Sequence, residues 1–505
     1  MNIAPLSQTG KSLAELCAGY VSSRPPAIRI EGLAIDSRRI RPGWVFLACR
    51  GTRDHGLRYA VPACERGAVA VLYEPQPGLI LPKLPHATPL IAVPELQRHA
   101  GSIAARFFDD PSAAMAVTGV TGTNGKTSVT TILAQVLADW GQTSGLIGTL
   151  GYGLYGMLEP AIETTPDPVR LQSILAGLRD YGAAHVAMEV SSHALDQERV
   201  AGIHFENAVF TNLTRDHLDY HHTMEEYREA KARLFAWPGL RRAVLYLDDP
   251  AAEDFASRAS PQVERIGFGL ESDTPAWFSG RRLFATDVHS NGGGLALEIA
   301  GDFGTATLRS RLVGHFNAVN LLAVLAVLLA RGAPFEESLA RVSQARTVPG
   351  RMESYGGGRQ PLVVVDYAHS PDALAQALAA VRAHVSGRVT VVFGCGGDRD
   401  SGKRPQMGEV AAVGAERIVL TDDNPRGEDP AGIVAGIRAG IPADKPVTVI
   451  HDRLEAIEAA LVEAGPGDAV LVAGKGHETV QVVGNERRRY SDRETVRRLL
   501  GGSPW

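Results

Sequence analysis

Residues 117–128 constrain the fold of this chain more than any other segment. They read Val-Thr-Gly-Val-Thr-Gly-Thr-Asn-Gly-Lys-Thr-Ser, which predicts a short apolar strand, a glycine-rich turn and a helix that begins at Lys126. Such a turn points backbone N–H groups at a phosphate, and the helix N-terminus adds partial positive charge. The lysine can reach the β- and γ-phosphates, and the Thr127 hydroxyl can bind Mg²⁺. A strict P-loop would carry glycine at position 120, where this chain has Val120 after Gly119, but the context still predicts an ATP site.

Composition excludes several classes of protein. The 505 residues are enough for about three domains of ordinary size. The net charge of −5 and the absence of a basic tract argue against a nucleic-acid partner. The sequence has no basic-then-apolar leader and no apolar run of membrane length, so we expect a cytoplasmic protein without membrane insertion. The four cysteines lack metal-binding spacing and are expected to be reduced: Cys17, Cys49, Cys64 and Cys395.

Apolar runs and the polar segments between them divide the chain into three α/β blocks. We predict a small N-terminal domain over residues 1–92, a central P-loop domain over 93–347, and a doubly wound, Rossmann-like C-terminal domain over 348–505. The strand candidates of the last two blocks are continuous apolar runs that alternate with helices, which is typical of a parallel sheet covered on both faces. Residues 279–311 instead alternate and are rich in glycine, which predicts a small antiparallel excursion.

Two polar clusters follow strand candidates of the central block. Glu189 stands at the end of one strand, where a carboxylate can complete a Mg²⁺ shell or form an ordinary ion pair. His217 lies in a polar run, residues 211–221, directly after another strand, and it is either a metal ligand or a structural histidine. Lys231 lies on an amphipathic helix, and this pattern alone predicts a lysine on the surface.

Four polar loops follow strand candidates of the C-terminal block. Each loop alone could simply cap a helix, but four loops at the carboxyl ends of one parallel sheet predict a ligand crevice. Within them, Arg399 and Arg426 can bind carboxylates and Glu478 can accept an ammonium, which suits a zwitterionic amino acid with additional charged ends. The loops are residues 366–371, 394–400, 421–426 and 474–478.

Taken together, these segments resemble the ATP-dependent Mur ligases of peptidoglycan synthesis. The resemblance covers nearly the whole chain, and its motifs are very specific in combination: 36–38, 119–127, 189–193, 212–217, Lys231, 366–369 and 423–426. Residues 423–426 read Asp-Asn-Pro-Arg, which resembles the family members that add meso-diaminopimelate to a UDP-linked muramoyl dipeptide. Lysine-adding members usually differ there, because lysine lacks the second carboxylate that Arg426 would bind.

Three alternatives stay open at this point. A lysine-adding Mur ligase is the closest, and Arg426 argues against it. A ligase similar to folylpolyglutamate synthetase would share the ATP core, but Asp36-Ser37-Arg38 in a separate N-terminal domain and the Asp-Asn-Pro-Arg loop argue against it. A nucleotide-dependent binding or switch protein would not need the P-loop lysine together with the acidic, histidine and lysine residues of the central block.

The resemblance implies a role for each matching residue. ATP is expected to contact Gly122, Thr123, Asn124, Gly125, Lys126, Thr127, Ser128, Asn317, Arg351 and Asp366. The UDP-muramoyl dipeptide is expected to contact Ile35, Ser37, Thr52, Arg53, Asp54, Thr164, Thr165, Ser191, Gln197 and Arg199. Diaminopimelate is expected to contact Arg399, Asp423, Asn424, Pro425, Arg426, Gly474 and Glu478. The family often has asparagine just before the two threonines, where this chain has Glu163.

The chemistry that the resemblance implies is ATP-dependent amide ligation through an acyl phosphate. The implied catalytic residues are Lys126, Glu189, His217 and Lys231. Thr127 and Glu189 would bind one Mg²⁺, and His217 and Lys231 a second. In that role CO₂ converts Lys231 into a carbamate, an oxygen ligand that suits this hard cation. The implied partners are the three small-molecule substrates, with the enzyme acting as a monomer.

Overall fold

The structure is a computed structural model that describes residues 10–51, 54–161, 163–270, 273, 275–291 and 294–501. It contains three main β-sheets of four, eleven and six strands, which follow one another along the chain. Helices pack on all three sheets, so the predicted α/β class is confirmed. The division at 92/93 and 347/348 stays a prediction.

The first sheet belongs to the N-terminal part of the chain. Its elements are β1 (Lys11–Ser12), α1 (Leu13–Leu16), β2 (Arg29–Ile30), β3 (Gly32–Ala34), β4 (Trp44–Ala48), α2 (Ala60–Glu65), β5 (Ala70–Tyr73), β6 (Leu90–Ala92) and α3 (Leu96–Phe107). Strands β3, β4, β5 and β6 are parallel and adjacent in that order. The apolar face of α3 packs on this sheet through Leu96, Ile103 and Phe107, so this helix shares the first core.

The central part of the chain builds the largest sheet. Its strands are β7 (Ala116–Thr121), β8 (Ser144–Gly148), β9 (Gly151–Leu154), β10 (Met157–Glu159), β11 (His185–Glu189), β12 (Phe205–Phe210), β13 (Arg242–Tyr246), β14 (Glu264–Gly269), β15 (Arg281–Asn291), β16 (Gly294–Gly301) and β17 (Ala306–Ser310). Its helices are α4 (Lys126–Asp139), α5 (Pro168–Asp180), α6 (Ser192–Asp196), α7 (Leu218–His221), α8 (Met224–Ala232), α9 (Ala251–Arg258), α10 (His315–Ala330) and α11 (Phe335–Val342).

The glycine-rich turn lies at the middle of this sheet. Strand β7 is buried along most of its length and lies between β11 and β12, and all three are parallel. Their carboxyl ends therefore meet at one edge, where the chain turns from β7 into α4. Helix α10 is almost completely buried and packs beside α4 in one core, which fixes the helix that follows the turn. The predicted antiparallel excursion is present as β15, β16 and β17, but it extends the same sheet.

The third sheet carries the four polar loops. Its part of the chain contains β18 (Glu353–Gly356), β19 (Leu362–Asp366), α12 (Pro371–Arg382), β20 (Val389–Phe393), α13 (Lys403–Gly414), β21 (Arg417–Leu420), α14 (Pro430–Arg438), β22 (Val447–Val449), α15 (Arg453–Val462), β23 (Ala469–Ala473), β24 (Val480–Val483), β25 (Glu486–Arg489) and α16 (Asp492–Leu499). The strand order is β18-β19-β23-β20-β21-β22, with only β18 antiparallel. Apolar cores lie on both faces, as predicted for a doubly wound sheet. The hairpin β24–β25 was not predicted.

Among the residues that the structure describes, no helix has both the length and the apolar character that a membrane span requires.

Candidate active site

The turn between β7 and α4 forms a backbone cradle. Gly122 has φ +149° and Gly125 has φ +86°, conformations that glycine adopts without strain. A Cβ on Gly125 would lie 2.7 Å from Oδ1 of Asn320, so this position has no room for a side chain. Across the turn, Asn124 N donates to Oδ1 of Asn212 at 2.8 Å. The cradle is therefore fixed by contacts of its own.

Two lysine side chains meet at one carbonyl oxygen of this turn. Lys126 Nζ donates to Gly122 O at 2.9 Å, and Lys231 Nζ donates to the same oxygen at 2.8 Å. Lys231 is only 1% exposed, so the surface lysine predicted from its helical pattern alone is wrong. Burial, and then the charge of Lys126, lower the pKa of Lys231 well below its ordinary value, which favours a neutral amine.

A buried carboxylate lies beside Thr127, the second residue of α4. Glu189 is 1% exposed at the carboxyl end of β11, next to β7. Its Oε2 accepts from the Thr127 hydroxyl at 3.0 Å, and its Oε1 accepts from the Thr149 N–H at 2.7 Å. The hydroxyl and the carboxylate thus present oxygen atoms, the ligands that Mg²⁺ prefers, at one point beside the cradle.

The polar run after β12 brings a histidine to the same edge. The ring centre of His217 lies 5.0 Å from that of His193 and 6.1 Å from that of Tyr227. Burial lowers the pKa of His217, so its imidazole is neutral near pH 7. A neutral imidazole nitrogen can bind a metal ion.

Residues of the C-terminal sheet complete this edge. Arg351 donates to the Thr127 hydroxyl at 3.1 Å, and Oδ2 of Asp372 accepts from the Asn124 side chain at 3.1 Å. Asp366, at the end of β19, is buried and accepts two backbone N–H groups, both at 2.8 Å. The central and C-terminal sheets therefore contact each other at the cradle.

Asn317 reaches the cradle through its neighbour on α10. Its side chain donates to Val313 O at 2.8 Å, and its Oδ1 accepts from the Asn320 side chain at 3.0 Å. Because Asn320 also lies against Gly125, the pair connects the start of α10 to the turn.

Two arginine side chains lie close together at the carboxyl edge of the C-terminal sheet. A Cβ on Gly396 would lie 2.8 Å from Nη1 of Arg426 and 3.7 Å from Cγ of Arg399, so both side chains converge on the loop after β20. The backbone of Arg426 pairs with β24, since its N–H donates to Val482 O at 3.1 Å and its carbonyl accepts from Gly484 N at 2.7 Å. The hairpin that sequence analysis missed therefore fixes the loop that carries this arginine.

The loops after β21 and β23 carry two acidic side chains. Asp423 is buried, and a Cβ on Gly474, which has φ +115°, would lie 2.5 Å from its Oδ2. Burial raises the pKa of Asp423. Burial also opposes ionisation of Glu478, but Lys475, Asn424 and His477 together lower the pKa of this carboxyl. Oε2 of Glu478 accepts from Nδ2 of Asn424 at 2.9 Å, which joins two of the predicted loops.

Residues predicted for the UDP end lie beside the first sheet. A cavity of about 70 Å³ between this sheet and α5 has Ile35 in its lining. Ser37 is buried in the adjoining turn. Asp54 is exposed and pairs with Arg58 at 3.2 Å. Thr52 and Arg53 lie outside the residues that the structure describes.

The residues predicted for the muramoyl dipeptide form a hydrogen-bonded group next to Glu189. The Thr165 hydroxyl donates to Glu189 O at 2.9 Å and accepts from Ser191 N at 3.2 Å. Arg199 donates to Oε1 of Gln197 at 2.8 Å and to Thr165 O at 2.9 Å. The group therefore lies between the carboxylate of β11 and the start of α6.

Two further contacts flank this group. The hydroxyls of Thr164 and Thr149 are 3.2 Å apart, and the backbone N–H of Thr149 also donates to Glu189. On the other side, Glu163 accepts from Nη1 of Arg199 at 2.7 Å, with 48% of its side chain exposed. The unusual carboxylate at position 163 therefore occupies one N–H group of the arginine.

Sequence analysis missed several residues that build these sites. Thr149 follows a strand of the central sheet, so its position at the carboxyl edge was a signal that could have identified it. Lys475 lies inside the predicted loop 474–478, but nothing in the pattern marks it as buried. The remaining residues, which carry no local signal, are Asn320 and Asp372.

Models of the three parts of one protein family match the chain in succession. The model described as Mur ligase family, catalytic domain, matches residues 29–107. The Mur ligase middle domain matches residues 120–328, and the Mur ligase, glutamate ligase domain, matches residues 350–476.

Similarity to individual proteins extends over nearly the whole chain. A UDP-N-acetylmuramoyl-L-alanyl-D-glutamate–2,6-diaminopimelate ligase of Alkalilimnicola ehrlichii is 52% identical over 480 residues, which cover 94% of this chain and 95% of that protein. The ligase of the same name from Coxiella burnetii is 44% identical, with 97% and 100% covered. A solved structure under the same name has a TM-score of 0.70 and 34% identity, with 98% and 99% covered.

Proposed function

This chain belongs to the Mur ligase family, and on that premise we propose that it is the ATP-dependent ligase that joins meso-2,6-diaminopimelate to UDP-N-acetylmuramoyl-L-alanyl-D-glutamate. The new amide bond links the γ-carboxylate of D-glutamate to an amine of diaminopimelate. ATP is converted to ADP and phosphate. The product is a peptidoglycan precursor.

One observation supports this proposal: the cradle and the loops that carry Arg399 and Arg426, which we assign to the amino-acid pocket, lie where the central and C-terminal sheets contact each other. Arg351 and Asp372 connect the C-terminal sheet to the cradle, as described above. The loop that carries Arg399 also reaches the central sheet, because Asp400 lies 4.0 Å from the guanidinium of Arg215. An acid activated at the cradle and an amine held in the pocket can therefore react where the two sheets meet.

The pocket's charges favour diaminopimelate over lysine. Arg399 and Arg426 supply two guanidinium groups, and a guanidinium binds a carboxylate through two parallel hydrogen bonds. Diaminopimelate has two carboxylates, whereas lysine has one. Glu478 supplies the acceptor for an ammonium. Bound lysine would offer a carboxylate to only one of the two guanidinium groups, and the missing charge-assisted contact would cost affinity.

The first step is phosphoryl transfer from ATP to the dipeptide. The γ-carboxylate of D-glutamate attacks the γ-phosphorus, the bond to the ADP oxygen breaks, and an acyl phosphate forms. Lys126 offsets the negative charge that gathers on the transferred group. We assign Thr165, Ser191 and Arg199 to the dipeptide, because they form one group next to the cradle.

The ligands beside the cradle fit Mg²⁺. Thr127 and Glu189 supply a hydroxyl and a buried carboxylate 3.0 Å apart, and His217 supplies a neutral imidazole. Bound Mg²⁺ would neutralise charge on the phosphates of ATP. In the part of the chain that the structure describes, no three histidine, cysteine, aspartate or glutamate side chains form a metal site by themselves. A second Mg²⁺ beside His217 therefore needs another oxygen ligand.

We assign this further ligand to Lys231 as a carbamate. Its neutral amine would attack CO₂, form an N–C bond and release a proton, which leaves an anionic carbamate. The surroundings support this assignment, because the buried nitrogen lies beside the cationic Lys126, which disfavours an ammonium and favours an anion. The carbamate supplies oxygen atoms where the free lysine supplies none.

The second step forms the amide. A neutral amine of diaminopimelate attacks the acyl carbonyl, the tetrahedral intermediate expels phosphate, and the nitrogen loses a proton. We assign stabilisation of the oxyanion of that intermediate to Lys126. Because the acid and the amine are held by different sheets, a change in the angle between the domains would control their encounter.

Phosphate release by the purified protein tests the proposal. Release should require ATP, UDP-N-acetylmuramoyl-L-alanyl-D-glutamate and meso-diaminopimelate together. Omission of the UDP-linked dipeptide or of diaminopimelate should leave only background release. Release with a folate and glutamate, or hydrolysis that needs no amino acid, would contradict it.

A further inference from the structure

The loop 474–478 holds a second fully buried lysine, to which the reaction steps above give no role. Lys475 is 0% exposed. Its Nζ donates to Oδ1 of Asn424 at 3.0 Å, to Oε2 of Glu478 at 2.8 Å and to Val480 O at 2.9 Å. An ammonium has three N–H groups and no acceptor, so these contacts use its capacity completely.

Two partners of this lysine are side chains of the amino-acid pocket. Asn424 lies in the loop after β21, and its Oδ1 also accepts from Val482 N at 2.9 Å. Its Nδ2 donates to Glu478 at 2.9 Å. Lys475 therefore connects the loop after β21, the loop after β23 and strand β24 at a single point.

These contacts use only one of the two carboxylate oxygens of Glu478. Oε2 accepts from both Lys475 and Asn424, whereas Oε1 accepts no hydrogen bond from any residue within the described ranges. The side chain is 29% exposed, so the carboxylate is anchored at one oxygen and partly accessible. A carboxylate oxygen in this state can bind an ammonium through a charge-assisted hydrogen bond.

We propose that Lys475 is a positioning residue for amino-acid choice, which holds Glu478 so that its Oε1 binds the ammonium of diaminopimelate that does not react. This inference rests on the proposed function and deepens it. Without Lys475, Glu478 and Asn424 each lose one partner, and the carboxylate loses its charged contact and keeps only the hydrogen bond from Asn424. Recognition of the second ammonium should then be lost, while recognition of the two carboxylates by the arginines remains.

A competition between two amino acids tests this role. 2-Aminopimelate has the two carboxylates and one amine of diaminopimelate but lacks the second amine. With both present, the ratio of the two products, measured by mass spectrometry, gives the ratio of their kcat/KM values. In the Lys475→Met variant we expect this ratio to fall by about tenfold or more, with the KM for ATP unchanged. Lys445→Met, at a half-buried position of the same domain, is the matched control and should keep the ratio.

A purely structural role would lower both products equally and leave the ratio unchanged, which would overturn the inference. If Lys475→Met does not fold, the comparison moves to Glu478→Gln and the double variant Lys475→Met/Glu478→Gln, which leaves no unpaired buried charge. Equal ratios in these two variants support the inference, and a further fall in the double variant overturns it. If the unmodified enzyme does not use diaminopimelate at all, the proposed function itself fails, so the two failures are distinguishable.

Discussion

Two lysines are buried equally deeply in this protein, and their surroundings make them opposites. Lys231, 1% exposed beside the phosphate cradle, donates one hydrogen bond within the described part of the chain, to Gly122 O at 2.8 Å, and lies near the like charge of Lys126. Lys475, 0% exposed in the loop after β23, has three acceptors, one of them the carboxylate of Glu478. Burial alone therefore does not decide what a lysine does. The first environment favours a neutral, reactive amine. The second gives the lysine three acceptors, and these contacts hold its neighbours in place.

The largest effect is expected from removal of the reactive amine. Lys231→Ala removes the group that we propose to carry the carbamate, so kcat should fall by about 10³-fold or more. Short carboxylates such as formate or acetate should restore part of the turnover, because they can supply the missing oxygen ligand. Steady-state phosphate release measures both effects, with Lys83→Ala, at an exposed position, as the control. Full activity of the Lys231→Ala variant would contradict the proposed carbamate role of this lysine.

A smaller effect is expected from the pocket. Arg426→Ala should raise the KM for diaminopimelate by about 10- to 100-fold, because a charge-assisted contact with a carboxylate is lost, and should change ATP binding by less than about twofold. Separate titrations of the two substrates measure this difference. Arg438→Ala, at an exposed position on α14, provides the control. Equal losses for the two ligands would remove the assignment of Arg426 to the amino acid.

The free energy of unfolding sharpens the contrast without reference to activity. Lys475→Met removes one hydrogen-bond partner each from Asn424 and the partly exposed Glu478, and should lower this free energy by about 1–3 kcal/mol. Lys231→Met removes an amine that has a single acceptor, and should change it by less than about 1 kcal/mol. Urea unfolding of both variants under the same conditions measures the difference. A larger loss of unfolding free energy for Lys231→Met than for Lys475→Met would contradict the view that Lys475 is the lysine that holds its neighbours in place.

The smallest effect is expected where an ion pair is exposed. Glu163→Asn removes the carboxylate that pairs with Arg199. Ion pairs that are this exposed contribute little to stability, so the loss of the pair itself should cost little. The freed N–H group should lower the KM for the UDP substrate by about two- to fivefold, as measured by initial rates at saturating ATP. A KM increase of tenfold instead would mean that Glu163 itself binds the substrate.

The parts of the molecule that could be predicted from the sequence are those encoded locally. The cradle and Lys126 belong to one continuous segment, and Glu189 stands at the end of an apolar run, so strand and turn patterns were enough to indicate them. The α/β class followed from the same runs. The resemblance to a family supplied the roles that these patterns left open.

The remaining features depend on contacts between distant segments. The buried side chain of Lys231 donates to the carbonyl of Gly122, which is 109 positions away in the chain. The pattern of an amphipathic helix does not encode this contact. Lys475 likewise gains its role from Asn424, 51 positions away. The hairpin β24–β25 fixes the loop of Arg426 through backbone hydrogen bonds, which side-chain patterns do not encode.

The most direct test of the account is the choice of amino acid in competition. The enzyme, ATP and UDP-N-acetylmuramoyl-L-alanyl-D-glutamate would be incubated with meso-diaminopimelate and L-lysine at equal concentrations, and the two tripeptide products would be separated by mass. The account predicts an excess of the diaminopimelate product of at least about 100-fold, because a pocket built for a second carboxylate rejects an amino acid that lacks it. Equal amounts of the two products would contradict it.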